Sequence, residues 1–121
     1  MQNPGVPASP AVHLYYHPRL AETQILHHIA LGLEEQGVPC RSVPCPDADS
    51  ALRLGQHAAR SSSLRVGLGV AQNGDVVLTH AQYPADRALC HCPPGSTAAQ
   101  WRNIGANAGQ LVKVIPFSES A

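Results

Sequence analysis

Apolar and polar residues follow two rhythms along this chain, and the switches between them mark out its elements. Short blocks that alternate or run unbroken read as strands, and longer stretches with apolar residues three and four apart read as helices. AVHLYY (11–16) is the first strand. Pro18 then stands where a helix can begin, because the N–H it lacks would be unpaired there anyway. Leu26, Ile29, Ala30 and Leu33 share one face of that helix, which runs to about Gln36, and Gly37 supplies a left-handed stop. VPCRSV (38–43) is a short strand, and PCPDADS is a turn in which Asp47 or Asp49 can cap a second helix at about 49–61, carrying Leu52, Leu54, Ala58 and Ala59.

LRVGLGVA (64–71) is almost continuously apolar, as a strand covered on both faces would be. Asn73-Gly74 is the signature of a two-residue hairpin, and DVVLTH (75–80) is the strand that returns antiparallel. After Tyr83-Pro84 a short strand is expected around ALCHC (88–92), broken by Pro93-Pro94-Gly95. Ser96 or Thr97 caps a last helix to about Lys113, with Trp101, Ile104, Ala108, Leu111 and Val112 as its buried stripe. The order β-α-β-α-β-β-β-α predicts an α/β fold, a mixed sheet with helices on both faces. Residues 1–10 hold three prolines and a glycine and read as a disordered arm.

Composition narrows the function classes. A length of 121 residues implies one domain with a core of its own. With 44% hydrophobic but only 4% aromatic residues, that core is built of Ala, Val, Leu and Ile. Eight basic residues balance eight acidic ones, which argues against a nucleic-acid footprint. No run approaches the roughly 18 apolar residues that a membrane span needs. MQNPGVPASP lacks the basic and apolar regions of a secretory signal, so a cytosolic protein is expected.

The candidate chemistry is sparse. Cys40, Cys45, Cys90 and Cys92 include no CxxC pair, and alternation along a strand would point His91 away from its two cysteine neighbours. A zinc or thiol-redox module on Cys90-His91-Cys92 is therefore a minor reading beside four reduced thiols. His27 and His28 point about 100° apart on a helix, and His28 lies roughly 10 Å along the axis from Glu35, so neither makes a chelating pair; both read as polar-face residues. GLGVAQNG (67–74) departs from GxGxxG and leads into a hairpin rather than a helix, which removes a dinucleotide loop. ARSSS lacks the surroundings of a nucleophile elbow. In WRNIGANAGQLVK, Gly105 and Gly109 lie four apart on one face, a track for close backbone approach to the sheet or to another chain.

LGLEEQGVPCR (31–41) poses the sharper question, because Glu34 and Glu35 sit at a helix C-terminus. The negative end of the helix dipole disfavours each by roughly 0.3–1 kcal/mol. Either Arg41 across the turn eases the charge, or one carboxylate is a hard oxygen ligand for a divalent ion such as magnesium. The chain offers no convincing second ligand, so in the latter case the others come from a partner.

LGLEEQGVPCR, AARSSSLRVGLGVA, YPAD and above all WRNIGANAGQLVKVIPF resemble the small (β) subunit of diol/glycerol dehydratase-reactivating factors. The resemblance spans residues 11 to 117, leaving the arm and a tail at 118–121 outside the domain. It implies a three-layer α/β/α domain with a mixed, mostly parallel sheet of about five strands. That is the anticodon-binding-like fold of the medium subunit of B12-dependent dehydratases. It implies a non-catalytic chain paired in a heterotetramer with a large ATPase subunit that carries Mg2+ and ADP or ATP. The client would be a dehydratase holding damaged cobalamin. The small subunit would give way to the dehydratase medium subunit, and intact adenosylcobalamin would then enter. Carried over by position, Glu35, rather than Glu34, would reach the large subunit's magnesium.

ALCHCPPG and YYHPR depart from the family pattern and bear on the partner interface. The rival in another class is a medium-like subunit of the dehydratase itself, which would contact cobalamin directly. The isolated chain leaves room for a homodimer, and the client enzyme could bring it to a bacterial microcompartment. Glycerol and propane-1,2-diol are both open as client substrates.

Overall fold

The computed structural model describes residues 10–47 and 49–114, so the expected arm and tail fall largely or wholly outside the described residues. Five strands form one sheet: β1 (Val12–Tyr16), β2 (Cys40–Pro44), β3 (Val66–Val70), β4 (Val76–His80) and β5 (Cys90–Cys92). Three helices cover it: α1 (Gln24–Glu35), α2 (Ala51–Ser61) and α3 (Ala98–Val114). The strand order is β2-β1-β3-β4-β5, with β1 parallel to β2 and β3, and β4 antiparallel to β3 and β5. β4 alone therefore runs against the other strands, and the sheet is mixed and mostly parallel, as expected.

The two faces pack differently. On one, Val66, Leu68 and Val70 of β3 join Val12, Leu14, Val76 and Leu78 beneath Ile29 and Leu33 of α1 and Ile104 and Ala108 of α3. Nearly all of these are fully buried. On the other, Gly67 and Gly69 let α2 lie against the strand backbone. A Cβ on Gly67 would stand 2.2 Å from Ala59 N, and one on Gly69 2.1 Å from Ala51 O. The glycines of GLGVA are thus packing positions, each removing the side chain that would hold α2 away.

Three expectations shift locally. Pro18 opens a 3-10 turn (Pro18–Leu20) rather than the long helix, with His17 Nδ1 accepting from Arg19 N at 3.1 Å. The Thr23 hydroxyl then donates to Leu20 O at 2.8 Å, and α1 restarts at Gln24. The hairpin loop has three residues rather than two, since Ala71 N still donates to Asp75 O at 2.9 Å. Gly74 at φ 95° takes the left-handed position that ends such a loop. The second helix takes Ser50 as its N-cap, the Oγ accepting from Arg53 N, while Asp49 pairs with the Arg53 guanidinium instead.

The close approach expected of the last helix, to the sheet or to another chain, is made instead to α1 of the same chain. A Cβ on Gly105 would lie 2.2 Å from Ile29 O, and one on Gly109 2.6 Å from Gln36 Cβ. The partner in this crossing is Gly32 of α1, where a Cβ would lie 2.1 Å from Arg102 O. Among the described residues no helix is long and apolar enough to cross a membrane.

Candidate functional site

The site grows out of the way α1 ends. Leu33 O accepts from Val38 N at 3.1 Å and Glu34 O from Gly37 N at 2.9 Å, with Gly37 at φ 71°. This paired closure, with Leu33 and Val38 both buried, is a Schellman stop. It holds Glu34 and Glu35 on the last turn, exposed, with no basic residue of their own helix beside them.

The cation that answers Glu35 comes from α3. Arg102 Nε donates to Glu35 Oε2 at 2.7 Å, and Arg102 Nη2 donates to the same oxygen. Oε1 accepts no hydrogen bond from the described residues. The hydrogen bonds from Arg102, reinforced by its charge, hold the Glu35 carboxyl below the usual carboxylate range, against a smaller opposing effect of burial. Glu35 is therefore ionised, as a cation ligand must be. About half of each side chain stays in solvent (52% for Arg102, 43% for Glu35), so the pair is screened and adds little to stability.

Arg41, the expected counter-charge, does not take this place. The reversal at Gly37 carries it into β2, where its charge instead helps to lower the His13 pKa, after the larger effect of burial. Arg102 lies 67 residues from Glu35, and no local spacing links them. The available signal was the glycine pair: Glu35 is one turn beyond Gly32, and Arg102 one turn before Gly105.

Beside the ion pair lies an open groove of about 400 Å³, lined by His28, Glu35, Ala98, Ala99, Arg102 and Asn103. His28 and Glu35, two turns apart on α1, face this one groove. His28 is half-buried rather than on an open polar face, and its ring stacks on Trp101 with centroids 6.3 Å apart and planes 26° apart. His28 Nδ1 and Trp101 Nε1 are both buried without a hydrogen-bond partner. His27 stays exposed and meets His28 edge-on.

The cysteine segment does not make a second centre. Cys90 and Cys92 pack on the core under α3, whereas His91 pairs with Asp75. Burial, then the neighbouring Cys90 and Asp75 charges, pushes the Cys92 thiol up, away from the thiolate that redox or zinc chemistry needs. No three metal-binding side chains converge among the described residues.

Comparison with known proteins supplies the relationship. A family model described as "Dehydratase medium subunit" matches residues 9–118. A Citrobacter freundii protein described as "Probable glycerol dehydratase-reactivating factor small subunit" is 59% identical over 112 residues, spanning 93% of this chain and 96% of the relative. A solved "Glycerol dehydratase reactivase" chain superimposes with a TM-score of 0.83 at 47% identity, covering 93% of this chain and all of its own. A chain from "Structure of diol dehydratase-reactivating factor complexed with ADP and Mg2+" superimposes at 0.79 with 30% identity, covering 91% of this chain and 98% of its own.

Proposed function

The chain belongs to the dehydratase medium-subunit family, as a small subunit of a glycerol/diol dehydratase-reactivating factor, and on that premise we propose that it is a non-catalytic swapping subunit. It pairs with a large ATPase subunit, in a heterotetramer, and the factor frees damaged cobalamin from an adenosylcobalamin-dependent dehydratase. The observation that carries this reading is the double likeness. The family model is described for the dehydratase medium subunit, while the relatives spanned almost end to end are reactivating-factor subunits. A chain that shares its fold with a client subunit can compete for that subunit's place. When it leaves, the large subunit can engage the dehydratase, and the loosened enzyme releases its spent cofactor before ATP drives the factor off.

Glu35 is the contact through which this chain meets the nucleotide of its partner. One of the solved relatives is described as complexed with ADP and Mg2+. An exposed, ionised carboxylate with one oxygen that accepts no hydrogen bond from the described residues fits a magnesium ion whose remaining ligands come from another chain. Magnesium, when bound, supplies charge neutralisation between the nucleotide and Glu35. This chain supplies one oxygen and the groove beside it.

The test is a pull-down of the large subunit by this chain, with and without Mg2+ and ADP. Binding should strengthen with magnesium, and Glu35→Gln should remove the strengthening while leaving the isolated fold intact. Equal binding by Glu35→Gln at every magnesium level would overturn the ligand assignment. Binding to dehydratase chains but never to the large subunit would overturn the swapping role.

A further inference from the structure

We infer that Arg102 is a positioning residue, which holds Glu35 so that Oε1 is presented to a divalent cation carried by another chain. This rests on the reading of Glu35 given above.

Arginine–carboxylate pairs are frequently bidentate, with one donor to each oxygen. Here Nε and Nη2 converge on Oε2. The geometry orients the carboxylate and leaves one oxygen uncommitted, as the outer partners of metal-binding side chains do. Glu35 needs such help, because an exposed glutamate on the last turn of a helix otherwise samples several rotamers. Arg102 can give it, because its own backbone is fixed. Its carbonyl lies where a Cβ on Gly32 would be 2.1 Å away, so the guanidinium springs from the tightest part of the α1–α3 crossing.

Two effects of Arg102 oppose each other. Its charge repels an incoming cation, whereas its grip fixes the ligand oxygen. Magnesium gives up water reluctantly and demands near-ideal octahedral geometry, so a fixed oxygen is the greater gain. Removing Arg102 therefore makes magnesium-dependent assembly harder, although it also removes a positive charge.

The experiment titrates Mg2+ in the presence of ADP and reads assembly of the full chain with the large subunit for wild type, Glu35→Gln, Arg102→Gln and Arg102→Lys. Arg102→Gln should raise the magnesium needed for half-assembly about tenfold, with unchanged circular dichroism and unfolding temperature. Arg102→Lys, which keeps the charge but not the planar fork, should fall between. Glu35→Gln should abolish the magnesium dependence. If Arg102→Gln leaves the requirement unchanged or lowers it while Glu35→Gln abolishes it, the positioning role falls and the ligand role of Glu35 stands. If Arg102→Gln weakens assembly equally with and without magnesium, Arg102 is an ordinary interface contact and the inference is wrong. If Glu35→Gln keeps the magnesium dependence, the ligand reading fails and this inference fails with it.

Discussion

Gly32 and Gly105 meet where α1 crosses α3. A Cβ built on Gly32 would stand 3.0 Å from Gly105 C and only 2.1 Å from Arg102 O. The helices touch through their backbones, and that contact sets the distance over which Arg102 reaches Glu35.

Gly105→Ala should therefore destabilise the protein. In an open helix the change would gain about 1 kcal/mol from propensity. Here the new methyl meets Ile29 O at 2.2 Å, main chain that cannot swing aside. Overpacking of this kind costs about 1–3 kcal/mol, read as a lower urea midpoint. Gly55→Ala in α2 is the internal control, since its Cβ would meet nothing closer than 3.4 Å. It should be neutral or stabilising by up to about 1 kcal/mol. Equal losses at the two positions would contradict the crossing geometry.

Two histidines should shape the pH profile of stability. Burial, then the Arg41 charge, lowers the pKa of His13, and burial, then the Arg65 charge, lowers that of His80. The unfolded chain then binds more protons in the acid range. The stability that the neutral rings contribute is complete above about pH 6.5 and is lost as pH falls from there towards the lowered folded values. Urea midpoints should drop between about pH 7 and pH 5, and a double His13→Gln, His80→Gln variant should flatten that drop. A drop of the same size in the double variant would assign it to other groups.

Three of the thiols, Cys40, Cys45 and Cys92, should be slow. All four cysteines are free. Burial raises the pKa of Cys40 and Cys92, and at Cys45 burial is joined by the charges of Asp47 and Asp49. Near neutral pH these side chains hold less thiolate than free cysteine does, with its pKa of about 8.5. A thiol reagent should label them more slowly than free cysteine in the native protein, and four thiols per chain should appear on unfolding. Labelling of Cys92 at the rate of a free thiol would revive a redox role for the Cys-His-Cys segment.

The elements were largely legible because each carries a local signal. Asn73-Gly74 marked the β3–β4 hairpin, Gly37 marked the end of α1, and the unbroken apolar run after Arg65 marked the central strand. Boundaries moved where side chains offered the backbone another partner, as His17 and Thr23 do before α1. At the site, Glu35 was legible because two acids at the negative end of a helix are locally wrong. Arg102 was not, because what joins it to Glu35 is a helix crossing between glycines far apart in sequence. A surface pair leaves no trace in hydrophobic pattern, and Trp101 and Ile104, the neighbours that did, report only that the helix is buried on one side.

The distance of 67 residues between Glu35 and Arg102 also has a meaning in time. At about 5–20 residues per second, a ribosome makes the arginine roughly 3–13 s after the glutamate. Until α3 emerges, Ile29 and Leu33 have no Ile104 or Ala108 to cover them, and the carboxylate has no guanidinium to hold it. The Glu35–Arg102 pair and the groove beside it are thus among the last features this protein completes.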